Sequence, residues 1–271
     1  AIFVSDMKRI HKISDGALKE MIWKAPGASE ILRITPHENG LLVVTKTSDT
    51  LKTFFVRDSR VEETWDGAVL PLGPGLVSTR LRLDRDLDAT RFRWERPSIV
   101  MGSPALPPEG ADCLNAVVLP AGQKDSRPTI VSYGRTGRIA LWEGGELVWE
   151  AEEGSGVTPL SIESRPSRVQ KTGSEAASTE TVRYALSPRI AVAGPRIVTF
   201  VNEQGSGGIF PRLNLFSSSE VVAYEQAGNA LERRSLASFK KGHCVDIAVV
   251  GKQAAVLVVE GKKSFVRFVE L

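Results

Sequence analysis

The stretch Pro128-Thr129-Ile130-Val131-Ser132-Tyr133-Gly134-Arg135-Thr136-Gly137-Arg138-Ile139-Ala140-Leu141-Trp142-Glu143-Gly144-Gly145-Glu146-Leu147-Val148-Trp149-Glu150-Ala151 decides the fold. It holds short apolar runs rich in β-branched and aromatic residues, separated by glycine-bearing polar turns, which is the signature of consecutive hairpins. Working outward, the same unit recurs: a strand, a tight polar turn, and a second strand ending on an aromatic residue. Ile10-His11-Lys12-Ile13 turns at Ser14-Asp15-Gly16 and returns to Trp23, and Thr53-Phe54-Phe55-Val56 turns at Asp58-Ser59-Arg60 and returns to Trp65. The strand at 138–142 turns at Glu143-Gly144-Gly145 and returns to Trp149, and 212–216 is read as turning at Ser217-Ser218-Ser219 and returning to Tyr224. Residues 265–269 repeat the first half of the unit near the end of the sequence.

A further strand precedes each hairpin, at 2–4, 41–45, 130–133, 197–201 and 255–259, and outer candidates lie upstream at 30–34, 114–119, 189–193 and 245–250. Four antiparallel strands per unit is the blade of a β-propeller. The turns at Asp15 and Asp58 lie 43 residues apart, whereas the gaps from Asp58 to Glu143 and from Glu143 to Ser218 are 85 and 75 residues, so each has room for one more unit. The first gap contains the hairpin 79–83 with 90–94, and the second contains 160–162 with 181–184. The expectation is an all-β chain of one domain over 1–271: a β-propeller of six or seven four-stranded blades, incomplete or irregularly closed because the first and last units each lack a strand. The competing architecture is a β-sandwich or several small barrels, but neither has a reason to repeat a Trp at the same place in successive hairpins. Stretches 16–23 and 228–239 come nearest to helical periodicity and are too short or uneven to overturn this.

The quoted stretch resembles a blade of the quinoprotein-like (PQQ-like) β-propellers, whose repeats carry a Gly-led strand ending in Ala-Leu, a turn with Gly, and a docking Trp. Trp23 and Trp65 stand at equivalent places in weaker copies, and WD-type or FG-GAP-type propellers share much of the pattern. The resemblance implies Trp side chains wedged between adjacent blades. It also implies that a catalytic member would bind calcium and a quinone through acidic residues, Asn and a stacked Trp. No such set can be placed on this sequence, so it resembles the non-catalytic members, for which no cofactor is expected.

Composition sets the outer bounds. The chain of 271 residues has 42% hydrophobic residues, which excludes an intrinsically disordered protein. Its 35 Lys and Arg against 32 Asp and Glu give a formal charge of +3, so no global field demands a nucleic-acid partner. No apolar run approaches the length of a membrane span. Cys113 and Cys244 are too few for a disulfide scaffold or zinc module, and two buried free thiols are favoured over a disulfide. The sequence starts in a strand-like run without Met, which reads as truncated or processed and leaves a secretory, periplasmic or lumenal compartment open. No Asn-x-Ser/Thr acceptor occurs.

Chemistry-bearing motifs are sparse. Asp84-x-Asp86-x-Asp88, with Glu95 at the twelfth position, has the spacing of a calcium loop, but Ala89 stands where its sharp turn needs Gly and the flanks read as strands. Arg80, Arg82, Arg91 and Arg93 are spaced by two on the two strands of one hairpin, so each pair shares a face and the four would form a basic patch, with Trp94 on the opposite parity. The reading as a partner-binding face stands against a solvated blade face neutralised by Asp84, Asp86, Asp88 and Glu95. His11, His37 and His243 are scattered, and His243 with Cys244 is no dyad, because neighbouring strand side chains point to opposite faces. Gly205-Ser206-Gly207-Gly208 lacks the ending of a phosphate loop. The polar, aromatic-free stretch 163–180 reads as a mobile insertion. The functional expectation is a non-catalytic scaffold subunit with protein partners in a larger complex. The alternative is a propeller enzyme or a ligand-binding protein with a calcium or small-molecule site.

Overall fold

The computed structural model describes residues 2–14, 17–85, 90–120, 128–134, 136–164, 182–204, 216–228 and 230–271. For 14, 17–19, 84, 85, 90, 91 and 204 only the backbone is described. The stretch 165–181, which holds most of the polar insertion read from sequence, lies outside the described residues, as does the Gly205 to Gly208 run.

The fold is all-β, and every described strand pair is antiparallel. Strands β1 (Ile2–Ser5), β2 (Arg9–Ser14) and β3 (Ala17–Lys24) form a three-stranded sheet in sequence order. The next sheet is a four-stranded meander of β4 (Glu30–His37), β5 (Gly40–Thr47), β6 (Thr50–Arg57) and β7 (Arg60–Asp66). Strands β8 (Ala68–Pro71) and β9 (Gly75–Thr79) lead to the separate hairpin of β10 (Leu81–Arg85) and β11 (Thr90–Trp94). The chain then returns as β12 (Ser98–Gly102) to give the order β12-β9-β8. Strands β13 (Val117–Leu119), β14 (Thr129–Tyr133), β15 (Arg138–Glu143) and β16 (Glu146–Gly154) are the second four-stranded meander. β17 (Ser161–Ser164) pairs with β18 (Val182–Ala185). β19 (Ala191–Ala193), β20 (Arg196–Gln204), β21 (Phe216–Ala227) and β22 (Ala230–Phe239) form the third four-stranded sheet, and β23 (His243–Val250), β24 (Gln253–Glu260) and β25 (Lys263–Glu270) close the order with three strands.

These residues form two compact units, one from 1–104 with 162–184 and the other from 105–161 with 185–271. In the first unit, Trp23 at the outer strand β3 meets Phe54 of the next sheet at 5.3 Å between ring centroids, within a core of Ile10, Ile31, Leu41, Val43 and Val56. Trp65 at the outer strand β7 packs in the same way on Leu42, Phe55, Val69 and Leu76. In the second unit, Trp149 of β16 packs on a core shared by Val131, Ile139 and Leu141 with Ile197, Val222 and Tyr224. Each Trp therefore seals one sheet against its neighbour, and truncating such a side chain costs about 3–5 kcal/mol.

Turn chemistry explains the meanders. Asp58 and Ser59 (φ 49° and 64°) and Gly144 and Gly145 (φ 60° and 91°) each fill a two-residue loop with both φ positive, the twist that matches right-handed strand twist. Three local readings differ from expectation. Ser217-Ser218-Ser219 is no turn: all three lie inside β21, with Ser219 opposite Asn202 and its hydroxyl donating to the Gly242 carbonyl. Residues 79–83 are not one strand, because β9 ends at Thr79 and β10 begins at Leu81. The outer strand expected at 114–119 begins only at Val117, since Cys113–Asn115 form a 3-10 turn that the Asp112 carboxylate caps by accepting from the Leu114 N–H at 3.0 Å.

Candidate interaction surface

The β10–β11 hairpin carries opposite chemistry on its two faces. Its register sets Leu81 against Trp94 and Leu83 against Phe92 on one face, with Arg82 against Arg93 and Asp84 against Arg91 on the other. The apolar face is anchored. Trp94 is buried, its Nε1–H donates to the Tyr184 hydroxyl at 3.0 Å, and Tyr184 stands edge-on to both Trp94 and Phe92 at 6.1 Å. At the base, the Glu95 N–H donates to the Arg80 carbonyl at 2.8 Å and the Thr79 hydroxyl donates to the Glu95 carbonyl at 3.0 Å. Burying the ring face leaves the guanidinium face in water, and Arg80, Arg82 and Arg93 are exposed. Like charges directly opposite one another in a ladder are unfavourable on their own.

Arg80 and Arg82 also line a groove of about 460 Å³ whose other charged lining groups are Asp49 and Asp66. These carboxylates are engaged elsewhere: Asp66 lies 3.7 Å from Lys52 Nζ, and Asp49 accepts from the Ser164 hydroxyl at 2.7 Å. Neither Arg80 nor Arg82 makes an ion pair with a described residue. Gly67 holds this geometry: its φ is +96°, and a Cβ there would sit 2.5 Å from the Thr79 carbonyl oxygen. The fully buried Thr53 hydroxyl fixes the same crossing, donating to the Gly67 carbonyl at 2.9 Å and accepting from the Val69 N–H at 2.8 Å. No local pattern links Asp49, Asp66 or Tyr184 to the hairpin, which they reach only through the fold.

The other expected sites fare differently. Of the calcium spacing, Asp86 and Asp88 lie outside the described residues, Asp84 is placed by its backbone opposite Arg91, and Glu95 is exposed just after β11. Among the described residues, no three His, Cys, Asp or Glu side chains converge as a metal site would require. The histidines occupy three different sheets: His11 lies 3.7 Å from Asp6, His37 lies 3.9 Å from Glu38, and His243 stacks at 5.0 Å on Phe216. Burial lowers the His243 pKa. The Cys244 thiol points the other way, into the core, where burial pushes its pKa up to about 11 against a hydrogen bond to Ser219. Both cysteines are free and buried.

The second unit holds a buried polar network. The Tyr133 hydroxyl lies 3.1 Å from Thr199 Oγ1, which itself donates to the Arg189 carbonyl, so Tyr133 is the donor. Burial raises the Tyr133 pKa far above that of a free phenol. Asn202 donates to the Val157 and Cys244 carbonyls and accepts from the Cys244 N–H. These bonds pin strands and connections to one another.

No family model and no curated protein sequence matches the chain. Among solved structures it is similar to a chain in a crystal structure of the mitotic checkpoint complex, with a TM-score of 0.47 and 9% identity over 99% of this chain and 83% of that one. A chain of a nidogen/laminin complex gives 0.44 and 10% over 97% and 91%. A chain from a structural and mechanistic study of two prolyl endopeptidases gives 0.43 and 10% over 98% and 38%. The all-β architecture stands on the strand registers of this chain rather than on these likenesses.

Proposed function

We propose that this chain is a single-domain, non-catalytic β-propeller of six or seven blades, of the PQQ-like or WD type. In this reading it serves as an interaction scaffold subunit of a larger complex and docks acidic protein surfaces through the arginine face of β10–β11. The observation that carries the reading is the cross-strand pair Arg82–Arg93, held in water because Trp94 and Tyr184 clamp the reverse face. The three sequential four-stranded meanders, and the Trp that closes one sheet on the next, support the propeller reading. Exposed guanidinium–carboxylate pairs are each worth about 0.2–1 kcal/mol, so this face would set specificity, salt dependence and encounter rate rather than supply most of the affinity.

The test is charge reversal, R80E/R82E/R93E, on the tagged chain expressed in cells, with co-purifying proteins quantified at low and high salt. Loss of a defined partner, with unchanged circular dichroism and melting, supports the reading. An unchanged partner set removes it. In a second reading the chain binds a small molecule, which the mixed-charge groove of Arg80, Arg82, Asp49 and Asp66 favours, or calcium, which rests on the Asp84 to Glu95 spacing alone. A calcium-dependent rise in melting temperature at millimolar calcium would favour it over the first.

A further inference from the structure

The hairpin β10–β11 is a sheet of two strands, so β10 has one edge without a partner strand. The ladder tells which peptide groups lie on that edge. The Glu95 N–H donates to the Arg80 carbonyl at 2.8 Å while Leu81 stands opposite Trp94, which makes Leu81–Trp94 a non-hydrogen-bonded pair. By the alternation of an antiparallel ladder, Arg82–Arg93 is then the hydrogen-bonded pair and Leu83–Phe92 the next non-bonded one, so the N–H and C=O of Leu81 and of Leu83 point away from β11. Among the described residues, no hydrogen bond reaches these groups. This edge borders the groove of about 460 Å³, which is lined by the consecutive residues 80–83 together with Leu51, Asp66 and Gly67. Leu81 and Leu83 share the parity of Trp94 and Phe92 and, with Leu51, give the groove an apolar lining, whereas Arg82 has the opposite parity. One end of the groove is closed. β11 leads into β12 on one side of β9 and β10, so β8 lies on the other, and its first residue Ala68 pairs with Thr79. Gly67 thus occupies the position next to Arg80 on this edge, where a Cβ on it would meet Arg80 Cγ at 3.1 Å.

We propose that this groove takes the C-terminal tail of a partner protein as a strand added antiparallel to β10, with apolar residues opposite Leu81 and Leu83, an acidic residue opposite Arg82, and the terminal carboxylate at Arg80. The main chain of the tail satisfies the outward N–H and C=O of Leu81 and Leu83. Strand direction selects a chain end over an internal stretch: an antiparallel strand runs along β10 toward Arg80 and meets Gly67 there, so it has to stop. Charge selects the carboxyl end. A parallel strand would bring its N-terminal ammonium to Arg80, and the groove's carboxylates do not offset that, since Asp66 lies 3.7 Å from Lys52 Nζ and Asp49 accepts from the Ser164 hydroxyl, while neither Arg80 nor Arg82 makes an ion pair with a described residue. Cross-strand neighbours share a face, so an acidic side chain opposite Arg82 falls beside its guanidinium and the flanking apolar ones fall beside the two leucines. The inference rests on reading the arginine face as the docking surface for acidic proteins, and it adds the mode of docking and the part of the partner that docks.

The test is fluorescence anisotropy of a peptide labelled at its N-terminus and ending Ser-Val-Glu-Val-Asp with a free carboxylate, titrated with the full chain. Saturable binding is expected, weakened about tenfold by R80E/R82E, about fivefold by amidating the peptide's C-terminus, and less than about twofold by R93E, which lies on the far strand of the hairpin. Methylating both valine nitrogens, the donors to the Leu81 and Leu83 carbonyls, should abolish binding. Methylating the Glu nitrogen, which points away from β10, should change it less than about twofold. The methylated peptides are measured on the wild-type chain, so they carry the test if R80E/R82E fails to fold by circular dichroism. Absence of saturable binding, equal binding of the valine-methylated peptide, equal loss from methylating Glu, or undiminished binding of the amidated peptide overturns the proposal. A sedimenting dimer that the unlabelled peptide dissociates overturns the partner's tail in favour of a second copy. If the peptide fails while R80E/R82E/R93E still strips cellular partners, this inference falls and the arginine-face reading stands.

Discussion

Asn202 offers the sharpest test of how the second unit is held together. It lies in β20, is only 3% exposed, and makes three hydrogen bonds with its carboxamide: to the Val157 carbonyl at 3.1 Å, to the Cys244 carbonyl at 2.9 Å, and from the Cys244 N–H at 2.9 Å. Gly156 backs onto it so closely that a Cβ there would meet the Asn202 carbonyl oxygen at 2.6 Å, so little room exists for water to replace the lost bonds. Asn202→Leu removes all three and strands a buried N–H and two carbonyls. At about 1 kcal/mol for each bond, with an added cost for the unmade groups, the loss is about 3–4 kcal/mol. That corresponds to a fall of about 10 °C in Tm for a cooperative unit of this size. Asn202→Asp keeps the acceptor for Cys244 but turns a charged oxygen toward two carbonyls, so its folded-state pKa is raised above the unfolded value. Its stability deficit should therefore be small below pH of about 4 and should grow as pH rises above the usual carboxylate range. Urea unfolding followed by tryptophan fluorescence at several pH values reads both effects. A loss under about 1 kcal/mol for Asn202→Leu, or a pH-independent deficit for Asn202→Asp, would refute this account of the network.

Three further outcomes are expected. Trp94→Phe and Tyr184→Phe should each cost about 1 kcal/mol, and the double variant should cost less than their sum by a similar amount, as measured by a double-mutant cycle in urea; full additivity would show that the 3.0 Å bond anchors nothing. Because burial lowers the His243 pKa, the unfolded state binds the proton more readily, so stability should fall as pH drops below about 6.5, and His243→Gln should remove that part of the slope; identical pH slopes would contradict it. An aromatic disulfide reagent at pH 8 should release no fast thiol from the native chain and two per chain in denaturant, and rapid native reaction or a silent denatured chain would contradict two buried free thiols.

Much of the sheet structure was legible in sequence because its signals are local. Asp58-Ser59 and Gly144-Gly145 announce loops needing positive φ, and the Trp at the end of each following strand marks where one sheet must seal on the next. The serine triplet at 217–219 misled because its composition is that of a turn, whereas the long strand β21 satisfies Ser219 through the distant Gly242 carbonyl. The parity of Arg82 and Arg93 could be read from spacing two, and the register carries it. The exit of Arg80 from the strand could not, because it depends on Gly67 touching the Thr79 carbonyl across a sheet boundary. Tyr184 was invisible as the hairpin's anchor: it lies 90 residues from Trp94, and no short-range pattern encodes that meeting.

The claim that the arginine face of β10–β11 is where partners dock is tested most directly by one comparison, the quantity of each protein co-purifying with the wild-type chain and with R80E/R82E/R93E at matched expression. Three reversals that turn attraction into repulsion should reduce one defined partner by about tenfold or more, with stronger salt sensitivity in the wild type and no change in Tm. The same proteins in the same amounts from both chains would contradict the account.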